Sequence, residues 1–290
     1  MNYILKNDEL TVTLSDYGAE MISVKRGDCE YVWQGDETYW KGQAPLLFPI
    51  CGRLINGSYL LEDKTYEMSI HGFARNSTFR TELVTETEVR FVLEANEETK
   101  AFYPFDFCLV VIYRLEGARL VTEAKIRNTG DVVMPASFGG HPGFNLPFDG
   151  EGCFEDYYLE FSEACSPDEI VMTPTCFLTG GRKPIPLEDG KILRLRHSLF
   201  DVDAIFMARV ASGVTLKSDR SARSVTLEYP DMPYLGIWHK PRTDAPYVCI
   251  EPWCGLPDYD GVPGDLMQKS DMFRICPDAE KKVSFSVTFG

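Results

Sequence analysis

The chain has 290 residues, 44% of them apolar and 25% charged, enough to build one large β domain or two ordinary ones and unlike a disordered or low-complexity chain. Its 44 acidic against 29 basic side chains give a formal charge of −15. That balance excludes a nucleic-acid binder, which needs a basic footprint for phosphates, and a protein held to an anionic membrane surface.

The chain opens with Met1-Asn2-Tyr3-Ile4-Leu5-Lys6-Asn7-Asp8, which lacks the basic start, apolar core and cleavage site of a signal peptide. Period-two alternation then dominates. Leu10, Val12 and Leu14 alternate with Thr11, Thr13 and Ser15, and the run breaks at Asp16-Tyr17-Gly18. Val89, Phe91 and Leu93 repeat the pattern, as do Val225, Leu227 and Tyr229, and finally Val283, Phe285, Val287 and Phe289. Each such segment reads as a strand with one face buried. Phe107 to Leu115 is apolar on both faces, which predicts a central strand packed on both sides. The longest apolar run, Phe107 to Tyr113, is too short to cross a bilayer. Turn residues at Arg26-Gly27-Asp28, Leu61-Glu62-Asp63-Lys64, Leu115-Glu116-Gly117, Asn128-Thr129-Gly130-Asp131 and Glu188-Asp189-Gly190-Lys191 predict tight connections, many of them hairpins. Helical periodicity is scarce; Pro263 to Lys269 is the one short helix the sequence predicts. The expected fold is all-β, a large antiparallel β-sandwich in one domain covering residues 1–290. Nine cysteines without a CxxC pair read as reduced thiols of the cytoplasm. The four histidines, at 71, 141, 197 and 239, have no ligand spacing on one element, so no zinc site is expected.

Four stretches carry the chemistry. In Ile50-Cys51-Gly52-Arg53-Leu54-Ile55-Asn56-Gly57 a guanidinium follows glycine at the lip of a strand, as a surface ion pair or as a fork of donors for sugar hydroxyls or a carboxylate. In Ser69-Ile70-His71-Gly72-Phe73-Ala74-Arg75, His71 is a satisfied core histidine or a site residue, with Arg75 close behind it. In Ser137-Phe138-Gly139-Gly140-His141-Pro142-Gly143-Phe144-Asn145-Leu146, proline forces His141 into extended backbone and the glycines allow close approach of other groups. The result is an imidazole on a fixed mount beside Asn145, suited to moving protons near neutral pH or simply buried in a turn. In Tyr247-Val248-Cys249-Ile250-Glu251-Pro252-Trp253, Glu251 ends an apolar strand, either as a paired structural carboxylate or as a proton-transfer group whose pKa the surroundings raise. Asp203 starts a further apolar run, with Asp201 beside it, and Trp238 is either core packing or an aromatic that stacks on a sugar face.

Together the stretches around 53, 71, 141 and 251 resemble the aldose 1-epimerase (galactose mutarotase) family. There a Gly-Arg ahead of an asparagine turn, a His-Gly, a His-Pro-x-Phe-Asn and a late glutamate occur in this order, and the resemblance runs from about residue 15 to the end of the chain. Phe73-Ala74-Arg75 and Pro252-Trp253 depart from the best-known galactose mutarotases and point to a less characterised branch. The resemblance implies a large β-sandwich, a small aldose as partner, and no metal or other cofactor. It implies His141 as general acid at the ring oxygen, Glu251 as base at the anomeric hydroxyl, and Arg53 and His71 on sugar oxygens. Asp203, with Asp201 the competing choice, matches the family's hydroxyl-binding aspartate. The expected site is thus Glu251, His141 and His71 as catalytic groups, with Arg53, Asp203, Trp238, Asn145 and Arg75 as substrate contacts.

The implied reaction interconverts α and β anomers of a hexose by acid–base ring opening. A hexose-6-phosphate 1-epimerase is the near alternative and would place Arg75, Lys240 and Arg242 at a phosphate. A non-catalytic carbohydrate-binding sandwich is the other, and it would have no use for a His–Glu proton pair. A glycosidase needs two carboxylates about the bond it cleaves, and only one stands out. Nothing in the sequence fixes the oligomeric state.

Overall fold

The computed structural model describes residues 1–150 and 152–290. Two large sheets dominate, and the strands of every sheet pair antiparallel. The larger has nine strands in the spatial order Ile192–Arg194, Tyr157–Phe161, Gly213–Ser218, Ser224–Glu228, Glu280–Phe289, Arg119–Asn128, Phe107–Glu116, Glu88–Glu94 and Arg80–Val84. The second runs Leu178–Pro184, Asp168–Met172, Ile205–Ala208, Tyr234–Trp238, Tyr247–Trp253, Gly139–Gly140 and Leu46–Leu47, with Gly143–Asn145 also pairing to Tyr247–Trp253. A four-stranded sheet is built from the first thirty residues, Asn2–Lys6, Thr11–Ser15, Met21–Arg26 and Cys29–Glu30. No helix among the described residues is long and apolar enough to cross a membrane.

The alternation read from the sequence decides what faces what. Leu109, Val111, Ala124, Leu227, Phe285 and Val287 of the larger sheet share one buried cluster with Met207, Leu235, Ile237, Val248 and Ile250 of the smaller. Val248 and Ile250 are fully buried, a contribution of about 1.5–3 kcal/mol each. The alternate residues of the same strand, Tyr247, Cys249, Glu251 and Trp253, face the other way. There Tyr247 and Cys249 join an aromatic cluster with Trp33, Trp40 and Trp238, while Trp253 joins Leu47, Phe206 and Leu256. Tyr247–Trp253 is therefore buried on both faces, and Glu251 stands where the two outer clusters meet.

Two expectations change. Pro263 to Lys269 is not a helix, because its backbone is used sideways: Leu60 N–H donates to the Gly264 carbonyl (2.9 Å) and Leu266 N–H to the Leu60 carbonyl (3.0 Å). The α-helix is instead Glu97–Phe102, started by a reciprocal pair in which Asn96 accepts from the Thr99 amide and Thr99 from the Asn96 amide, each at 2.9 Å. The outer face of Phe107–Glu116 is also less covered than its apolarity predicts, since Cys108, Val110 and Arg114 are only half-buried.

Candidate active site

Above the outer face of the smaller sheet lies a cavity of about 290 Å³ lined by Arg53, His71, Arg75, His141, Asp203, Trp238 and Glu251, among others. Seven of the eight residues expected from the sequence line it.

Glu251 sits opposite Gly236 in the neighbouring strand and is 1% exposed. The bare Gly236 leaves room for Phe206, whose ring would lie 2.6 Å from any added Cβ. His141, in the two-residue link between Gly139–Gly140 and Gly143–Asn145, reaches Glu251 with Nε2 3.3 Å from Oε2. The glycines before it serve close approach, as expected: a Cβ at Gly139 would meet the Trp253 ring at 2.9 Å, and one at Gly140 the Phe285 ring at 2.8 Å. The His141 amide donates to the Pro45 carbonyl (3.0 Å), and the Ile250 amide to the Pro142 carbonyl (3.1 Å), which pins the imidazole's mount on both sides.

His71 is held less comfortably. Its φ of +66° lies in the left-handed region, worth roughly 1–3 kcal/mol of strain for a side chain other than glycine. Gly72 follows at φ +72°, where an added Cβ would fall 2.2 Å from the Phe48 carbonyl oxygen. The strained turn lets His71 Nδ1 accept from the Gly52 amide at 3.1 Å. A neutral His71 therefore carries its proton on Nε2. The same turn sets Arg53, whose loop is tied down from below. Asp258, 2% exposed, accepts from the Ile55 amide (3.0 Å) and from Lys269 Nζ (3.2 Å), and its own amide donates to the Arg53 carbonyl (3.1 Å).

Neither Arg53 nor Arg75 has an ion-pair or hydrogen-bond partner for its guanidinium among the described residues, in a chain where most other arginines are matched to carboxylates. The Arg75 Nε, the His141 Nδ1 and the Trp253 Nε1 are all buried without partners. Buried polar atoms are ordinarily satisfied, so their collection around one cavity marks a place built to receive polar groups.

Asp203, not Asp201, faces the cavity. Its Oδ1 accepts from the Ala204 amide (2.8 Å) and its Oδ2 from the Cys176 thiol (3.0 Å). Asp201 is exposed, and its carbonyl takes the Arg242 Nε at 3.2 Å. Asn145 is the expected contact that the fold withholds. Its amide donates to the Glu30 and Val32 carbonyls, both at 2.9 Å, and it lies away from the cavity. That side chain ties Gly143–Asn145 to the segment after Cys29–Glu30. Lys240 Nζ likewise donates to the Thr38 carbonyl (3.0 Å), and neither Lys240 nor Arg242 lines the cavity.

Several lining residues escaped the sequence reading. Trp40 lies over His141, with ring centres 5.0 Å apart and planes at 31°, and Trp238 meets the same imidazole edge-on at 5.7 Å. Met172, Cys176, Phe206 and Trp253 complete the wall. Trp253 was legible, because two residues beyond Glu251 in a strand is the same face. Trp40 was not, since it comes from an irregular loop. Cys249 was missed in the same way as Trp253. Against the expectation that no metal-ligand set exists, His141, Cys249 and Glu251 bring their ligand atoms within 4.8 Å of one another. Their separation in sequence had hidden the grouping.

Burial governs the charges. It raises the Glu251 carboxyl well above its usual range, helped by the negative charge of Asp203. It pulls His141 down to about 3, with Arg75 acting in the same direction. His71 falls well below its ordinary value, through burial first and then His141, Arg75 and Arg53. Burial thus favours the neutral forms of both groups, so the pair shares a single transferable proton between His141 Nε2 and Glu251 Oε2, 3.3 Å apart. That inventory suits a group that both takes and gives a proton.

Comparison with known proteins agrees with this architecture. A family model described as aldose 1-epimerase matches residues 1–259. Protein LacX (chromosomal) of Lactococcus lactis subsp. lactis is 36% identical over 298 aligned residues, covering 99% of each chain. A galactose mutarotase related enzyme from Lactobacillus acidophilus superposes with a TM-score of 0.96 at 37% identity, over 100% of this chain and 97% of that one. A galactose mutarotase-like protein from Lactobacillus casei ATCC 334 gives 0.94 at 33% identity, over 100% of both chains. With its sandwich, its cavity and these relatives, the chain belongs to the aldose 1-epimerase family.

Proposed function

We propose that the protein interconverts the α and β anomers of a hexose, with His141 and Glu251 as the proton-transfer pair. The observation that carries this reading is a buried imidazole and carboxyl 3.3 Å apart on the wall of a cavity otherwise supplied with unpaired donors. At about 290 Å³ the space suits one sugar, small molecules generally occupying sites of roughly 300–1,000 Å³. As the sugar binds, the proton the pair shares passes from Glu251 to His141; Glu251 then takes the proton of the C1 hydroxyl while His141 gives one to the ring oxygen. The C1–ring oxygen bond breaks, leaving an aldehyde. Rotation about C1–C2 presents its other face, and the same two groups run the steps in reverse. No electrons are transferred and no group departs. Arg53 and the Nε2–H of His71 donate to sugar oxygens, Asp203 accepts from a hydroxyl, and Trp238 offers an aromatic face. A positioned acid–base pair supplies ~10²–10⁴-fold, and holding the sugar adds to it.

Free sugars are the expected substrates, because of the three cations the 6-phosphate alternative would use, only Arg75 lines the cavity. Polarimetry on freshly dissolved aldoses and their 6-phosphates tests this directly. Faster mutarotation of at least one free aldose is expected; turnover confined to 6-phosphates would overturn the choice of substrate, and none on any sugar would overturn the activity.

A further inference from the structure

We propose that the floor of the cavity is also a binding site for a thiophilic divalent cation such as zinc, held by His141, Cys249 and Glu251, and that the cation inhibits rather than assists. Cys249 and Glu251 come from Tyr247–Trp253 and His141 from the link between its two partners Gly139–Gly140 and Gly143–Asn145, with Gly143, two residues after His141, opposite Cys249 in the register. Cys249 and Glu251 point to the same face because two positions separate them, and all three ligand atoms lie within 4.8 Å of one another. Nitrogen, sulfur and oxygen donors in this combination are a zinc-type set. The 3.3 Å between His141 Nε2 and Glu251 Oε2 is already close to the separation of about 3.4 Å that two ligands of one tetrahedral zinc ion have at ordinary bond lengths. The thiol, within 4.8 Å of both partners, has to draw in toward the ion. His141 and Glu251 line the cavity while Cys249, 0% exposed, lies beneath them, so the fourth position opens toward the cavity and water.

The charges close without help from elsewhere. The cation binds neutral imidazole nitrogen, thiolate and carboxylate; the thiol and carboxyl protons leave to solvent, and one divalent ion beside two anions is neutral overall. A neutral site is what a buried location tolerates. The ion and the sugar reaction exclude each other, since ligation occupies the His141 Nε2 and Glu251 Oε2 atoms between which the transferable proton moves. Inhibition, though not binding, rests on the epimerase reading given above.

Cadmium and zinc titrations of the full chain, stripped of metal with a chelator, test the site. Cadmium should produce thiolate charge-transfer absorbance in the ultraviolet at one equivalent, and zinc should suppress it by competition. Mutarotation should fall in parallel, each protein compared with its own chelator-treated rate. Cys249→Ser should abolish the absorbance and raise the half-inhibiting zinc concentration at least ~10–100-fold, the loss caused by disturbing even the groups behind a metal ligand. Cys249→Ala serves the same purpose if the serine variant folds poorly. Absorbance that survives both substitutions would assign the ion to another of the nine cysteines and overturn the proposal, as would zinc inhibition undiminished in both. If no sugar is turned over, absorbance lost with Cys249 would still establish the site, so the two readings fail separately.

Discussion

Replacing Glu251 by glutamine keeps the side chain's size and most of its hydrogen bonding while removing its capacity to take up a proton. Turnover should drop ~10²–10⁴-fold, with sugar affinity within a few-fold and the fold intact by circular dichroism. His141→Asn should behave alike, and the double variant should be little worse than the poorer single one, as for groups that act as a unit. Normal turnover by Glu251→Gln would reject the mechanism, and failure to fold would make Glu251 a structural carboxylate. A second expectation concerns acid. His141 is held neutral by burial, its pKa depressed to about 3 in the fold against about 6.5 in the unfolded chain. Its contribution to stability is therefore present above pH 6.5 and is lost as the pH falls from there toward 3. Melting temperatures across that window should fall less steeply for His141→Asn than for the parent, and equal slopes would contradict the burial argument. At this scale much was legible. Arg53, His71, His141 and Glu251 each sit beside glycine, which frees the backbone, or proline, which restricts it, and the structure uses the glycines for close approaches and tight turns. Asn145 misled because an amide that serves a sugar and one that ties two backbone segments look the same in a sequence.

Single elements show why the site holds its shape. The backbone of the loop carrying Arg53 is held by Asp258, which the Lys269 ammonium pairs at 3.2 Å where the side chains are 2% and 10% exposed. Removing one partner of a buried pair typically costs 3–5 kcal/mol, so Lys269→Met should destabilise by about 3–5 kcal/mol in urea unfolding. It should also raise KM more than it lowers kcat, because Arg53 would lose its anchor and not its chemistry. A variant with parental stability and KM would show the anchor to be idle. None of this could be read beforehand: Lys269 lay inside the stretch predicted as a short helix from the proline near its start. The backbone pairing of Gly264 and Leu266 with Leu60 is a contact across some two hundred residues, and no local periodicity reports it.

Across the whole molecule, the legible part was the architecture and the hidden part was adjacency. Alternation with turns at short intervals specifies a sandwich, and the observed sheets are one. Which strands neighbour which is set by pairing over long separations, and that is how His141 meets both Cys249 and Glu251. For activity, exhaustive chelation should leave mutarotation unchanged or raise it; a loss restored by adding a divalent ion back would mean that a metal takes part in turnover. The alternation along Tyr247–Trp253 carries a further consequence for sequence change. Because the even positions Val248 and Ile250 belong to the interior and the odd ones to the cavity side, a scan along this strand should beat in two-time. Even substitutions should register as melting temperature and Glu251 as turnover. One residue inserted ahead of Tyr247 should exchange the two sets and lose both properties in a single step, so this segment tolerates replacement far better than it tolerates a change of length.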